Sequence, residues 1–333
     1  MRVKELLDRS WDLSVLDECH KLKNYKTLQT KAATDITRKA EFVVELSGTP
    51  FPNRHTELYE PLHIADPVSF PNWYRYMERY THGKAYQWSG LVNEPELKER
   101  LSYILLRRTK KDVLPELPEI ERAVLPFRLE LAYLTLYREA EKELLGARNI
   151  LPAMAKLRRI VGEAKRAISD EWGMEFLQGC DEKLVVYCHH LDQVHHYLGT
   201  FKDYGATAIY GAISQKERAV RWGAFQTRRH PRVMVIDSAA TEGIDLYAAS
   251  NIWFAERELV PMIEEQAEGR LHRMGQKNAV TAWYPMAAGT MDEYLDLIIR
   301  RKREQFRKVL PSDNVAEYIA KEVLEAIKRG GVE

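Results

Sequence analysis

The 333-residue chain is poor in three things, and each absence removes a class of protein. Its 3 cysteines, Cys19, Cys180 and Cys188, contain no C-x-x-C pair. An odd, scattered set does not form a disulfide framework, so a reducing compartment is expected. No apolar run approaches the roughly 20 residues that span a bilayer. Charges scattered through residues 1–9 also do not fit a secretory leader, so a soluble intracellular protein is expected, with no membrane partner. Charge of one sign is missing too: 50 Lys+Arg against 49 Asp+Glu leave a formal net charge of +1. Any contact with nucleic acid must therefore come from a local patch. What remains is an ordinary globular balance, 45% hydrophobic and 30% charged, enough for two domains with real cores.

Residues 13–16 (Leu-Ser-Val-Leu) form a short apolar run that ends in Asp17-Glu18-Cys19-His20. A buried strand delivering two acids and a histidine at its C-terminal end places them where open α/β sheets carry chemistry. Asp17 would hold Mg²⁺ through water, Glu18 would polarise an attacking water, and His20 would sense a γ-phosphate. Acidic pairs are common at strand ends, so D-E-x-H carries little by itself. The next apolar run, Phe42–Leu46, ends in Ser47-Gly48-Thr49-Pro50, two hydroxyls around a glycine. Alone it reads equally as a strand-to-turn transition. Far downstream, Gln266-Ala-Glu-Gly-Arg-Leu-His-Arg places Arg270 and Arg273 three apart, on one side of a helix if the helix continues. Arginine suits a phosphate that gains charge in a transition state, since its planar fork binds oxygens bidentately. Gly269 would let the backbone approach a neighbour, and Gln266 supplies an amide.

From residue 183 onward, apolar runs alternate with helical patterns. Strands are expected over Lys183–Tyr187, Ala206–Tyr210, Arg232–Ile236, Asn251–Phe254 and Val280–Tyr284. Ser214–Glu217 and Thr290–Glu293 read as capping boxes opening helices. This alternation argues for an α/β fold with a parallel, doubly wound sheet. The cluster Cys188, His189, His190, His195 and His196 matches no zinc-ligand spacing, so a metal is not expected there.

In order, D-E-C-H with Lys21–Asn24, S-G-T-P, Leu105–Pro118 (L-L-R-R-T-K-K-D-V-L-P-E-L-P), Lys183–His190, Ile209–Ser214, Ala240–Leu246 and the Gln266–Gln276 stretch resemble helicase superfamily two. More narrowly, they resemble the Swi/Snf-type DNA translocases, closest to the fork-remodelling, strand-annealing branch. The resemblance covers nearly the whole chain. It implies two RecA-like lobes with parallel sheets, ATP and Mg between them, and double-stranded or forked DNA as partner. It implies catalytic roles for Asp17 (with the metal), Glu18, His20, Arg270 and Arg273. Nucleotide binding or coupling would fall to Ser47, Thr49, Gly243, Asp245, Gln266 and Gly269. DNA contact would fall to Lys23, Arg107, Arg108 and Thr241, whereas the aromatics Trp73, Tyr74, Tyr76, Tyr80, Tyr86 and Trp88 are read mainly as packing within a helical protrusion. The implied layout is lobe one over 1–125 with the protrusion near 57–100, a helical insertion over 126–178, lobe two over 179–290, and brace helices over 291–333. The site of action would be nuclear in a eukaryote, or the cytoplasm and nucleoid of a prokaryotic or viral host.

One part of such a motor is not found. The chain holds no G-x-x-x-x-G-K-[ST] loop, and sixteen residues precede Asp17. The expectation is a chain inactive alone: a fragment, half of a split motor whose second chain supplies the loop, or a non-catalytic DNA-binding or scaffold protein. Asp245 also stands where the resemblance expects asparagine, and Glu258-Leu-Val-Pro261 replaces W-N-P.

Overall fold

The computed structural model describes residues 3–48, 55–82, 89–106, 108, 110–241, 243–308 and 315–329. The chain divides into two compact units, Met1–Arg107 with Glu304–Tyr318, and Arg108–Arg303 with Ile319–Glu333. Among the described residues no helix is long and apolar enough to cross a membrane.

In the first unit, strands β1 (Trp11–Asp17) and β2 (Ala40–Leu46) pair in parallel, with Val15 opposite Val44 and Asp17 opposite Leu46. β-Branched and aromatic residues favour the extended chain, and the helix Leu28–Thr37 makes the crossover. Thr27 starts that helix by accepting a hydrogen bond from the Thr30 amide, at 3.1 Å. One face of the pair carries Leu13, Val15, Phe42, Val44 and Leu46, each between 43% and 61% exposed. A separate helical core fills with Leu58, Phe70, Tyr76, Met77, Tyr80 and Leu97. It is built from helices Tyr59–Ala65, Trp73–Tyr80 and Glu94–Ile104 and the hairpin of β3 (Thr81–His82) and β4 (Ser89–Leu91). Tyr76 and Tyr80 pack there with ring centroids 5.1 Å apart. Tyr86 and Trp88 lie outside the described residues.

The second unit holds a six-stranded sheet of β5 (Ile120–Phe127), β6 (Leu184–Tyr187), β7 (Thr207–Ile209), β8 (Val233–Ile236), β9 (Asn251–Phe254) and β10 (Val280–Ala287). The order is β5-β10-β9-β6-β8-β7, and every pair is parallel. Helices Leu191–Thr200 and Gln215–Thr227 supply crossovers, the second capped by Ser214, which accepts from the Glu217 amide at 3.3 Å. Thr290 likewise caps the helix Met291–Lys308, accepting from the Asp292 amide at 3.2 Å. All residues of β6, β8 and β9 are buried, as expected for parallel strands covered on both faces. Tyr187, Ile236, Phe254 and Tyr284 fill one face; Val186, Val235, Trp253 and Phe201 fill the other. The strand absent from the sequence reading is β5. It pairs along its whole length with β10, yet Glu121, Arg122 and Pro126 interrupt its apolar pattern. As an edge strand it tolerates that proline.

Candidate functional site

In the first unit, β1 delivers Asp17 at its end, and Glu18 then turns the chain into the short helix Cys19–Leu22. Glu18 does so in the left-handed region, at φ 54°. A non-glycine residue there stores strain, a pattern concentrated at functional sites. Its amide donates to Asp17 Oδ1 at 2.9 Å, which orients the Asp17 carboxylate. His20 Nδ1 lies 3.2 Å from Glu18 Oε2 and 3.0 Å from Ser47 Oγ, so the residues after β1 and after β2 form one hydrogen-bonded group. A Cβ at position 48 would meet no heavy atom within 4 Å among the described residues. Lys23 is tied to Glu57 at 3.1 Å, so its charge is partly neutralised within this unit.

Behind this group sits a pair the sequence does not single out. Burial pushes the Cys19 thiol up to about 12, helped by the charges of Glu45 and Glu18. Burial likewise raises Glu45 to about 8, against the lowering effect of its hydrogen bond with Cys19. A mid-strand glutamate gives no local signal of this, because desolvation is set by what packs around it.

In the second unit, the helix Pro261–Leu271 carries Gln266, Gly269 and Arg270. Proline at its first turn fits the unpaired amides of a helix start. Buried carboxylates fasten its inner face. Glu268 accepts two hydrogen bonds from Arg122 of β5, at 2.7 and 2.5 Å, and one from Tyr284 of β10, at 2.7 Å. Glu264 accepts from Arg257 at 2.9 Å, and Arg257 also donates to Asp296 at 2.7 Å. Such paired, hydrogen-bonded charges resist displacement, because breaking one strands the other in a dry interior.

The helix ends at Leu271, so Arg273 lies beyond it and the shared helical face does not extend to both arginines. Tertiary contacts place them instead. Arg273 forms an ion pair with Asp245, while the Leu246 amide donates to the Arg270 carbonyl at 2.6 Å. Lys110 Nζ donates to the His272 carbonyl, between the two arginines in sequence, at 2.6 Å. Desolvation, then the charges of Arg273 and Arg270, pull the Lys110 pKa below the ordinary lysine value. A Cβ at position 269 would stand 3.4 Å from Lys110 Nζ, so glycine leaves room for the lysine. Gly243 adopts φ +71°, which favours glycine, and its loop leads to Asp245. Three cations of this unit thus gather around one turn, with Asp245 beside them. Arg108 is exposed. Thr49 and Arg107, and the side chain of Thr241, lie outside the described residues.

The histidine cluster after β6 is engaged by carboxylates. The His189 and His190 amides each donate to Glu256 at 2.8 Å, His190 Nδ1 contacts the same carboxylate at 2.5 Å, and His189 Nδ1 contacts Glu258 at 2.7 Å. These contacts and Arg158 hold both glutamates below the usual carboxylate range against the opposing effect of burial.

Comparison with known proteins agrees with this arrangement of parts. The SNF2-related domain matches residues 1–191, and the helicase conserved C-terminal domain matches residues 168–275. A Xenopus tropicalis protein, SWI/SNF-related matrix-associated actin-dependent regulator of chromatin subfamily A-like protein 1, is 33% identical over 309 residues, covering 88% of this chain and 33% of its own length. The human DNA annealing helicase and endonuclease ZRANB3 is 29% identical over 322 residues, covering 91% of this chain and 30% of its own. The chain therefore spans about a third of the length of these two relatives. The Sulfolobus solfataricus SWI2/SNF2 ATPase core in complex with dsDNA superposes with TM-score 0.52 at 20% identity, covering 100% of this chain and 75% of that one. The Sulfolobus solfataricus SWI2/SNF2 ATPase core domain gives 0.54 at 21% identity, covering 98% and 72%. The fold is thus that of an Snf2 ATPase core with RecA-like lobes, and the chain belongs to the SNF2-related family, carrying its helicase C-terminal domain as well.

Proposed function

We propose that this chain is the core segment of an ATP-driven translocase of double-stranded or forked DNA, acting where chromosomal DNA is held, in nucleus or nucleoid. The observations that carry the reading are the grouping of Glu18, His20 and Ser47 behind Asp17 in the first unit and, in the second, the cluster of Lys110, Arg270 and Arg273. The residues fit ATP and Mg²⁺, which the family uses. Two carboxylates at a strand end offer hard oxygen donors to magnesium, and three cations suit phosphate oxygens. Bound Mg-ATP would supply a polarised γ-phosphoryl group. Asp17 would hold the metal, and Glu18 would orient the attacking water. His20, bonded to Ser47, transmits the state of that site to the S-G-T-P loop. Arg270 and Arg273 would neutralise phosphoryl charge, Arg273 exchanging its pairing with Asp245 for a phosphate oxygen. Lys23, Arg107, Arg108 and Thr241 meet the DNA backbone, and Thr49, Gly243, Gln266 and Gly269 belong to the coupling and nucleotide loops.

We also propose that turnover needs a phosphate-cradling loop from further polypeptide, in the same longer protein or in a second chain. The exposed apolar face of β1 and β2 supports this, because parallel strands are stable when covered on both sides. The test is DNA-stimulated ATP hydrolysis by this chain alone and joined to a loop-bearing segment. Activity is expected only in the joined form. There, Glu18→Gln should cut turnover at least about 100-fold, the usual scale for losing a positioned acid–base group, while nucleotide binding stays. Near-normal turnover in that variant would sink the assignment of Glu18. DNA binding with no hydrolysis in the joined wild type would favour a non-catalytic module instead.

A further inference from the structure

A cavity in the first unit, built from none of the residues assigned to nucleotide or DNA above, has the chemistry of a second nucleotide site. It is about 520 Å³ in volume and lies between helix Leu28–Thr37 and helix Tyr59–Ala65, with Trp73 at its border. That size falls within the range of small-molecule sites, roughly 300–1,000 Å³. Glu60 lines it. The residue is 7% exposed and makes no hydrogen bond or ion pair among the described residues. Burial raises its pKa, offset in part by the charge of His63 one turn later. Its carboxylate opens on the cavity with no donor among the described residues, so it is available to a ligand's N–H groups.

The remaining lining narrows the ligand. Tyr59, Tyr25 and Trp73 contribute aromatic surface, and Tyr59 is braced by His63, stacked at 5.5 Å with 13° between the rings. Flat aromatic walls favour a planar ring. Lys31, within the helix, and Arg38, its C-terminal cap residue, are exposed beside the cavity. Asp35 touches Arg38 at only 3.7 Å in a solvated pair, too weak to cancel it. Outer cations ask for an anion, aromatic walls for a planar ring, and the Glu60 carboxylate for N–H donors. An amine or guanidinium would meet repulsion from Lys31 and Arg38, and a bare phosphate would meet it from Glu60. A nucleotide satisfies all three.

We propose that this cavity binds one nucleotide, with its base inward on Glu60 and its phosphate outward at Lys31 and Arg38. Guanine fits best, because its Watson–Crick edge presents adjacent N–H donors that one carboxylate can accept together, as acidic side chains accept base amino groups elsewhere. The nucleotide comes either from unpaired DNA or from the free pool, and both share this chemistry.

The experiment is calorimetric titration of the full chain with dGMP and with thymidine monophosphate. Binding of dGMP at least tenfold tighter than thymidine monophosphate is expected. Glu60→Gln should erase that preference, Lys31→Ala should weaken both nucleotides equally, and Arg273→Ala should change neither. Tyr25→Ala, at a position already 51% exposed, serves as a variant that leaves the fold alone and should weaken dGMP about tenfold. Competition by a single-stranded oligonucleotide ending in guanine assigns the site to unpaired DNA; failure to compete assigns it to free nucleotide. No binding of dGMP by the wild type overturns the site. Equal affinity in wild type, Glu60→Gln and Tyr25→Ala overturns it as well. Loss of dGMP binding in Arg273→Ala alone moves the binding to the phosphate cluster of the second unit and leaves the translocase reading standing.

Discussion

The two parallel sheets of this chain use the same kinds of residue and end in opposite conditions. In the second unit, β6, β8 and β9 are buried at every position, and helices cover both faces. In the first, β1 and β2 stand as a pair whose Leu13, Val15, Phe42, Val44 and Leu46 face outward. The difference shows that an apolar strand pattern specifies the strand and not its cover. A two-stranded parallel pair is not a self-sufficient sheet, so the first unit draws its cohesion from the helical core around Tyr76, Met77 and Leu97. The second draws it from the sheet itself and from the ion pairs that fasten the Pro261–Leu271 helix.

That contrast can be broken by substitution. The largest effect is expected at Phe254, fully buried and stacked on Tyr284 at 4.6 Å. Phe254→Ala should cost about 3–5 kcal/mol in urea denaturation, the usual toll of a large core cavity. A loss under about 1 kcal/mol would mean that the sheet does not carry this unit.

A middle-sized effect should come from Glu45, whose carboxyl is raised from 4.5 to about 8. Between those values the folded chain binds more protons than the unfolded one, so this group's contribution to stability falls as pH rises. Glu45→Gln removes the titration. The wild type should therefore lose stability relative to the variant between pH 5 and pH 8, by on the order of 2 kcal/mol. Denaturation midpoints of both proteins at the two pH values give the answer, and a constant difference would contradict it.

The smallest effect is expected at Phe42, already 61% exposed. Phe42→Ala should change the stability of the chain by no more than about 0.5 kcal/mol. A cost near that of Phe254→Ala would show that the outward face of β1 and β2 is covered in solution, by a second copy or another partner, and would erase the contrast.

Much of the fold was legible because strands and caps are local. The runs at Leu13–Leu16, Phe42–Leu46 and Asn251–Phe254 are strands, and Ser214 and Thr290 cap the helices expected of them. β5 escaped because Glu121, Arg122 and Pro126 suit an edge whose pairing partner lies far along the chain. In the candidate site, the spacing of Asp17, Glu18 and His20 was readable, as was Ser47 at the end of the neighbouring strand. The relation of Arg270 to Arg273 was not, because helix periodicity ceases to apply once the helix stops at Leu271. Glu45 and Glu60 carried no signal at all, since a carboxylate's burial is invisible to its neighbours in sequence.

By itself the sequence determined the alternation of strands and helices, the order of the motifs and the family. Each depends on backbone geometry acting over a few residues, or on motif order. Only the tertiary structure decided that Lys110 meets the His272 carbonyl from 162 residues away, that Asp245 holds Arg273, and that Glu60, with no hydrogen-bond partner among the described residues, lines a cavity. Those are encounters between distant segments, and their energies come from desolvation and charge pairing, which arise when the chain has closed around them.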